Sequence, residues 1–296
     1  MSATSVELDS PAQPQILVNG KLIFLAASFL ASFGLLYGEV VVGLVRSWSV
    51  DDNYTHGFGV VPLALYFAWE RRHRFLNTTA HPSPWGLVGV LASLCLLAVG
   101  VLGTEYFTSR ISIIGAVAGS LLFLHGWRRL RVMAFPIGFL LLMIPIPEIV
   151  FNQIALPLQF AASSFAEQCL SLLRIPVWRE GNVIHLARTT LEVEEACSGI
   201  RSLVSLLTLG IVYGYFTDPR GWIRLVLALS TLPIAILTNA LRVAGTGAAA
   251  HRFGPQVAEG FLHTFSGWFV FITACLMLAL LQGAIVWLVP EKASTR

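Results

Sequence analysis

Charged side chains are scarce in this chain. Its 296 residues include 19 Lys+Arg and 16 Asp+Glu, 12% in all, where a soluble domain carries about 25%. With 56% hydrophobic residues and a mean hydropathy of +0.74, too few polar side chains exist to coat a water-facing surface. A soluble enzyme and a disordered chain are both excluded. The net charge is only +3, and the basic residues lie in short clusters between apolar runs. That is a topology signal, not a nucleic-acid footprint.

Cysteine is sparse too, with four in the chain and no CxxC spacing, which excludes a disulfide scaffold. Cys95, Cys169 and Cys275 sit in apolar stretches and read as small buried hydrophobes. Cys197 differs, because its neighbours are polar. No HExxH or HxxEH pattern is present, so neither a metal nor another cofactor is expected. Internal repeats, heptads and low-complexity segments are also missing. Residues 1–20 form a polar tail with Glu7 and Asp9 and no basic start, so the first span is expected to stay as an anchor rather than be cleaved.

What is present is a series of apolar runs. A helix crossing hydrocarbon needs about 20 mostly apolar residues, and runs at 22–45, 86–103, 111–127, 132–151, 201–216, 221–241 and 264–289 qualify. The shorter 57–70 is capped by Arg71, Arg72, His73 and Arg74 and is counted as a span. The stretch 154–173 carries Gln159, Glu167 and Gln168 and reads as an interfacial amphipathic helix. The expectation is an all-α polytopic membrane protein with about eight transmembrane helices. One membrane domain covers 21–290, with a short tail at 291–296. With the N-terminus inside, eleven of the nineteen Lys and Arg fall in cytoplasmic segments, as the positive-inside rule asks. The only sizeable loop, 174–200, faces outward. Within it, 181–193 alternates with β-branched residues and predicts a short hairpin over the helices.

Three residues stand at span ends. Cys197 precedes the span at 201–216 in EEACSGIR, Arg242 ends the next in NALRV, and His263 opens the last in HTFSG. Two crossings separate the first pair and one short loop the second, so all three fall at one membrane face. A thiol at a helix N-terminus is acidified toward thiolate. A histidine can move a proton near neutrality, and a permanently charged arginine can hold an oxyanion. Together they suit acyl transfer from a peptide bond. Ser198, Arg201 and Asn239 are secondary candidates, with His56 and His185 behind them. Two rivals stay open: a metal-dependent membrane hydrolase using Cys and His, and a transporter with broken helices at Pro136 and at Ile144-Pro145-Ile146-Pro147.

The ordered strings EEACSGIRSL, NALRV and HTFSG, with DDNYTHG after the first span and FPIGFLLLMIPIP at 135–147, resemble the bacterial exosortases from about residue 45 to 270. Thr55 stands where serine is expected. The resemblance implies a multi-spanning inner-membrane cysteine protease or transpeptidase with its site facing the periplasm. Its partners would be exported proteins bearing a C-terminal Pro-Glu-Pro signal, a transmembrane helix and a basic tail. On that likeness the nucleophile falls on Cys197, the arginine on Arg242 and the histidine on His263. Glu194 and Glu195 beside the thiol would oppose its ionisation.

Overall fold

The computed structural model describes residues 20–187, 189–192, 200–254 and 261–289. Among these, nine helices and one small sheet follow each other along the chain. They are α1 (Gly20–Val50), α2 (Gly57–Glu70), α3 (Arg72–Asn77), α4 (Trp85–Leu102), α5 (Tyr106–Phe139), α6 (Glu148–Leu172), β1 (Val177–Glu180), β2 (Val183–Leu186), β3 (Thr190–Glu192), α7 (Ile200–Thr217), α8 (Gly221–Phe253) and α9 (Phe261–Leu288). Large apolar side chains cover the outside, with Leu35, Leu102 and Trp287 each at least 80% exposed. Such a surface is unsuited to water and suited to lipid.

Six helical segments are long and apolar enough to cross a membrane: most of α1, then α4, α5 with the short turn after it, α6, α8 and most of α9. α2 and α7 are shorter apolar helices. At about 1.5 Å per residue, the fourteen residues of α2 reach about 21 Å. The expected span 111–127 and the first part of 132–151 lie in α5 and the turn after it, and the rest of 132–151 passes through the break at 144–147 into α6. α6 also holds 154–172 and meets the length criterion that its polar residues obscured.

α5 is two helices joined at Gly126, whose φ of 80° and ψ of 178° are not helical. Glycine alone adopts that φ without strain, and a Cβ there would collide with the His81 carbonyl oxygen. The chain reverses at this point. Residues on both sides of it meet the loop after α3: the His125 carbonyl accepts from the His81 amide at 3.2 Å, and Arg129 Nε donates to the Thr78 carbonyl at 2.8 Å. Moving away from Gly126, the first half of α5 runs back along α4 to Ser109 beside Gly100, and the second runs along α2 to Leu142 beside His56. The α4 contact is close because small residues face each other, Gly86, Ser93 and Gly100 against Ser109, Ser112, Ala116 and Gly119.

The body therefore has two ends. At the first, Arg71 donates to the Val132 carbonyl and its guanidinium lies over the rings of Phe135 and Tyr215. At the second, the α1–α2 turn closes over the broken end of α5. Pro145 and Pro147 lack the N–H groups that the carbonyls of Leu141 and Met143 would receive in a continuing helix. Trp48 Nε1 donates to the Met143 carbonyl at 2.8 Å, His56 Nε2 to that of Leu142 at 3.0 Å, and the Ile146 amide to the Tyr54 hydroxyl at 3.3 Å. Trp48 supplies the donor that Pro147 denies Met143, the Ile144 amide serves the Leu141 carbonyl, and His56 supplies the donor that Leu142 loses when the Ile146 amide turns to Tyr54.

α6 starts at this Trp48 end and packs along α8. One of its faces stays apolar and uncovered, with Ile149, Ile154, Phe160 and Phe165. The other buries Gln159 and Ser163 under the antiparallel sheet β1-β2-β3. Ser163 Oγ donates to the Gly181 carbonyl at 3.0 Å, and Arg179 Nε pairs with Glu167 at 2.8 Å. β2 and β3 lie within the expected 181–193 hairpin, and β1 adds a third strand before it, over 177–180.

α7, α8 and α9 form a bundle around Leu206, Ile223, Leu227, Ile234, Ala235, Ala274 and Leu278. α8 runs twelve residues past the expected end at 241. The alanine-rich GTGAAAHRF continues the helix, until Gly254 at φ 96° stops it.

Candidate functional site

Cys197, Ser198, Arg201, Asn239, Arg242 and His263 all belong to the α7–α8–α9 bundle or to the segments entering it. α7 and α8 are antiparallel, since a Cβ on Gly214 would lie 3.3 Å from Arg224 Cα and one on Gly210 would meet the Thr231 side chain. α8 and α9 are antiparallel too, pinned where Arg220 Nη1 donates to the Val289 carbonyl at 2.6 Å. Tyr213 Oη donates to Gln282 Oε1 at 3.0 Å and ties α7 to α9.

These pins set heights along the bundle. Counting about 1.5 Å per residue from them, Arg242 stands about 33 Å along α8 from Arg220, and position 263 about 39 Å along α9 from Val289. The same count from the Gly214–Arg224 contact puts the start of α7, at Ile200, within about one turn below Arg242. The start of α7, Arg242 and the first turn of α9 therefore share one end of the bundle. It is the Trp48 end: Val204 packs with Phe151 and Ala155 at the start of α6. At the other end of α7, Tyr215 Oη donates to Glu70 at 2.7 Å.

Arg242 is half-buried on α8. Asn239, one turn earlier and on the same face, is only 3% exposed. Both engage neighbouring groups. Just beyond them, Val243 and Ala244 pack against Ala166 and Leu170 of α6 and Ile184 of β2. α6 and the sheet thus brace α8 where Arg242 stands, and β3 delivers the chain toward α7. His263 lies in the first turn of α9 and Arg201 in that of α7; their side chains, like Cys197 and Ser198 entirely, lie outside the described residues.

His185 sits on β2, with Nε2 3.8 Å from Glu180 and Nδ1 3.3 Å from the Thr190 hydroxyl. His56 is committed to the Leu142 carbonyl through Nε2, and its buried Nδ1 has no partner among the described residues. Burial pushes the His56 pKa below the usual histidine range, against the opposing pull of its backbone hydrogen bonds. A neutral ring donating to one carbonyl is what the helix break requires. No three His, Cys, Asp or Glu side chains gather to hold a metal among the described residues.

At the opposite end, Asp218 in the α7–α8 turn is clasped by Arg220, with Nη2 at 2.7 Å and Nε at 2.9 Å. Those bonds hold its carboxyl below the usual range despite burial. Arg224 Nε donates to the Asp218 carbonyl at 2.7 Å. This clasp, invisible in sequence because Asp-Pro-Arg reads only as a turn, ties the end of α7 to the start of α8 and, through Arg220, to the end of α9.

Residues 48–280 match the family model for transmembrane exosortases. Among curated proteins and among solved structures, nothing matches the chain.

Proposed function

The chain belongs to the transmembrane exosortase family, and we propose that it is a membrane-embedded cysteine peptidase or transpeptidase. The observation that carries this reading is the shared end of α7, α8 and α9. The family match spans all three sequence motifs, and in support the start of α7, Arg242 within α8 and the first turn of α9 fall within about 12 Å of height by helix rise.

Cys197 Sγ attacks the carbonyl carbon of the scissile peptide. Arg242 hydrogen-bonds the resulting oxyanion, which a fixed cation in a water-poor site stabilises strongly. His263 passes a proton to the leaving amine as the C–N bond breaks, leaving a thioester on Cys197. Water, or the amine of an acceptor, attacks that thioester and frees the thiol. Asn239 steadies Arg242 from one turn below, and Ser198 and Arg201 border the nucleophile. The substrates are exported proteins whose C-terminus carries a Pro-Glu-Pro signal, a transmembrane helix and a basic tail, the helix reaching the site through the bilayer.

Orientation follows from charge. Arg71, Arg72, Arg74, Arg128, Arg129, Arg131, Arg220 and Arg224 gather at or near the Arg71 end, which the positive-inside rule assigns to the cytoplasm. The Trp48 end, with the site, then faces the periplasm of a bacterial inner membrane. Eight crossings result: α1, α2, α4, the two halves of α5, α7, α8 and α9. α6 lies on the periplasmic side, its apolar face in the interface. The reversal at Gly126 supports counting α5 twice.

The test is processing of a co-expressed membrane protein bearing the Pro-Glu-Pro signal, by wild type and Cys197→Ala, with capture of a thioester-linked adduct. Loss of cleavage and of the adduct in the variant is expected. Normal processing by Cys197→Ala would end the cysteine mechanism, and loss on chelation alone would favour a metal.

A further inference from the structure

Two charged residues line one cavity away from the α7–α9 bundle, Glu39 exposed on α1 and Arg110 buried on α5. Glu39 lies in the middle of α1, within the apolar stretch Ala27–Val50. Its carboxylate makes no hydrogen bond or ion pair with the described residues. Arg110, in the second turn of α5, is only 8% exposed. Its Nη2 donates to Ser47 Oγ at 2.7 Å and to the Gly43 carbonyl at 3.3 Å, and its guanidinium lies over the Tyr106 ring, 5.5 Å from the centroid. A guanidinium has five N–H groups, so donor capacity remains. Between the two charges is a cavity of about 230 Å³, lined by Glu39, Gly43, Gly100, Thr104, Tyr106 and Arg110 among others.

Ionisable groups in a membrane segment are costly and mark function by default. Here neither charge answers the other directly: no ion pair within 4.0 Å joins them, and the space between them is large enough for a polar group. A ligand that satisfies both needs an anion and a hydrogen-bonding cation in one short unit. It must also reach a lipid-facing opening near the Trp48 end.

We propose that this cavity binds the head group of a phospholipid carrying a primary amine. The phosphodiester accepts from Arg110, whose planar guanidinium matches phosphate oxygens. The head group lies along α1, with its ammonium one turn deeper donating to Glu39. Its acyl chains run down the apolar surface that α1 and α4 present, where Leu35, Leu36, Leu96 and Val99 are exposed. A quaternary ammonium cannot donate a hydrogen bond to Glu39, and a glycerol head group offers it no charge. The site therefore prefers phosphatidylethanolamine to phosphatidylcholine and phosphatidylglycerol.

Gly43 provides a plug that spares the fold. A Cβ there meets nothing within 4 Å, and its carbonyl bond to Arg110 survives substitution, so Gly43→Leu fills the cavity without removing a contact. The experiment is native mass spectrometry of the detergent-purified full chain with each of the three lipids added, alongside thermal unfolding. Wild type is expected to retain phosphatidylethanolamine about tenfold better than the other two, the scale of one charged hydrogen bond. Glu39→Gln should erase that preference, and Gly43→Leu should lose retention while eluting as the wild type does. Equal retention of all three lipids by wild type, or undiminished retention by Gly43→Leu, overturns the proposal. Soluble glycerophosphoethanolamine is the remaining arm: if it stabilises the protein as much as the lipid does, the ligand is water-borne and the lipid assignment fails.

Discussion

His56 donates from Nε2 to the Leu142 carbonyl across 3.0 Å, joining segments eighty-six residues apart. The bond explains why a histidine follows the first helix and why it stays neutral. Leu142 sits where α5 gives way to Ile-Pro-Ile-Pro, and its carbonyl would otherwise be buried without a donor. Removing the donor with His56→Ala should cost about 1–3 kcal/mol, while His56→Gln, which can still donate, should recover much of it.

The same residue predicts a pH effect. Its folded pKa is depressed by burial, so its contribution is complete above the unfolded value of about 6.5 and is lost as pH falls toward the folded value. Thermal midpoints in detergent should drop between about pH 7 and 5. A His56→Gln protein that shows the same slope would assign it elsewhere.

Gly126→Ala should be among the most damaging small substitutions. It combines a left-handed φ with a collision against His81, and the strain alone is worth about 1–3 kcal/mol. Gly138→Ala, where a Cβ has open space, should be neutral or stabilising. Comparing unfolding midpoints of the two separates the reversal from general helix propensity.

Arg242→Ala should lower the processing rate by about a hundredfold or more, the usual loss when one oxyanion donor goes. Arg242→Lys should restore little, since an ammonium lacks the guanidinium's geometry. His263→Ala should be comparable. Rates near wild type for Arg242→Ala would reduce it to a helix-end charge that snorkels.

Acid should act on the Asp218 clasp. Arg220 holds this carboxyl low, so its stabilising effect is whole above the unfolded value of about 3.9 and fades as pH falls through the lower folded one. Asp218→Asn should lose stability at pH 7 and show a flatter decline below about pH 4. Parallel curves for variant and wild type would assign the acid sensitivity to other carboxyls.

Topology can be measured with single cysteines placed in a chain stripped of its native four. A cysteine at Thr79 should be labelled only from the cytoplasm and one at Thr104 only from the periplasm. Leu173, just after α6, decides that helix: labelling together with Thr104 keeps α6 on one side, and labelling together with Thr79 makes it a ninth crossing.

Local composition was enough to show several things about this protein. Twenty-residue apolar runs demand helices, because unpaired backbone cannot survive in hydrocarbon. Sparse charge excludes water-facing folds, and counting crossings leads to the expectation that the three motifs share one membrane face. Bounds were harder, because alanine-rich and polar stretches such as 242–253 and 159–168 change in hydropathy without changing in helicity. Only the tertiary structure decided what depends on a partner far along the chain. The prolines at 145 and 147 marked a break, but not that Trp48, Tyr54 and His56 would repair it. Glycine at 126 looks like any glycine in an apolar run until φ and the His81 carbonyl are known. Glu39 and Arg110, seventy-one residues apart in the sequence, acquire a shared cavity only when α1, α4 and α5 pack, because helix packing sets which faces meet and one helix's own periodicity does not.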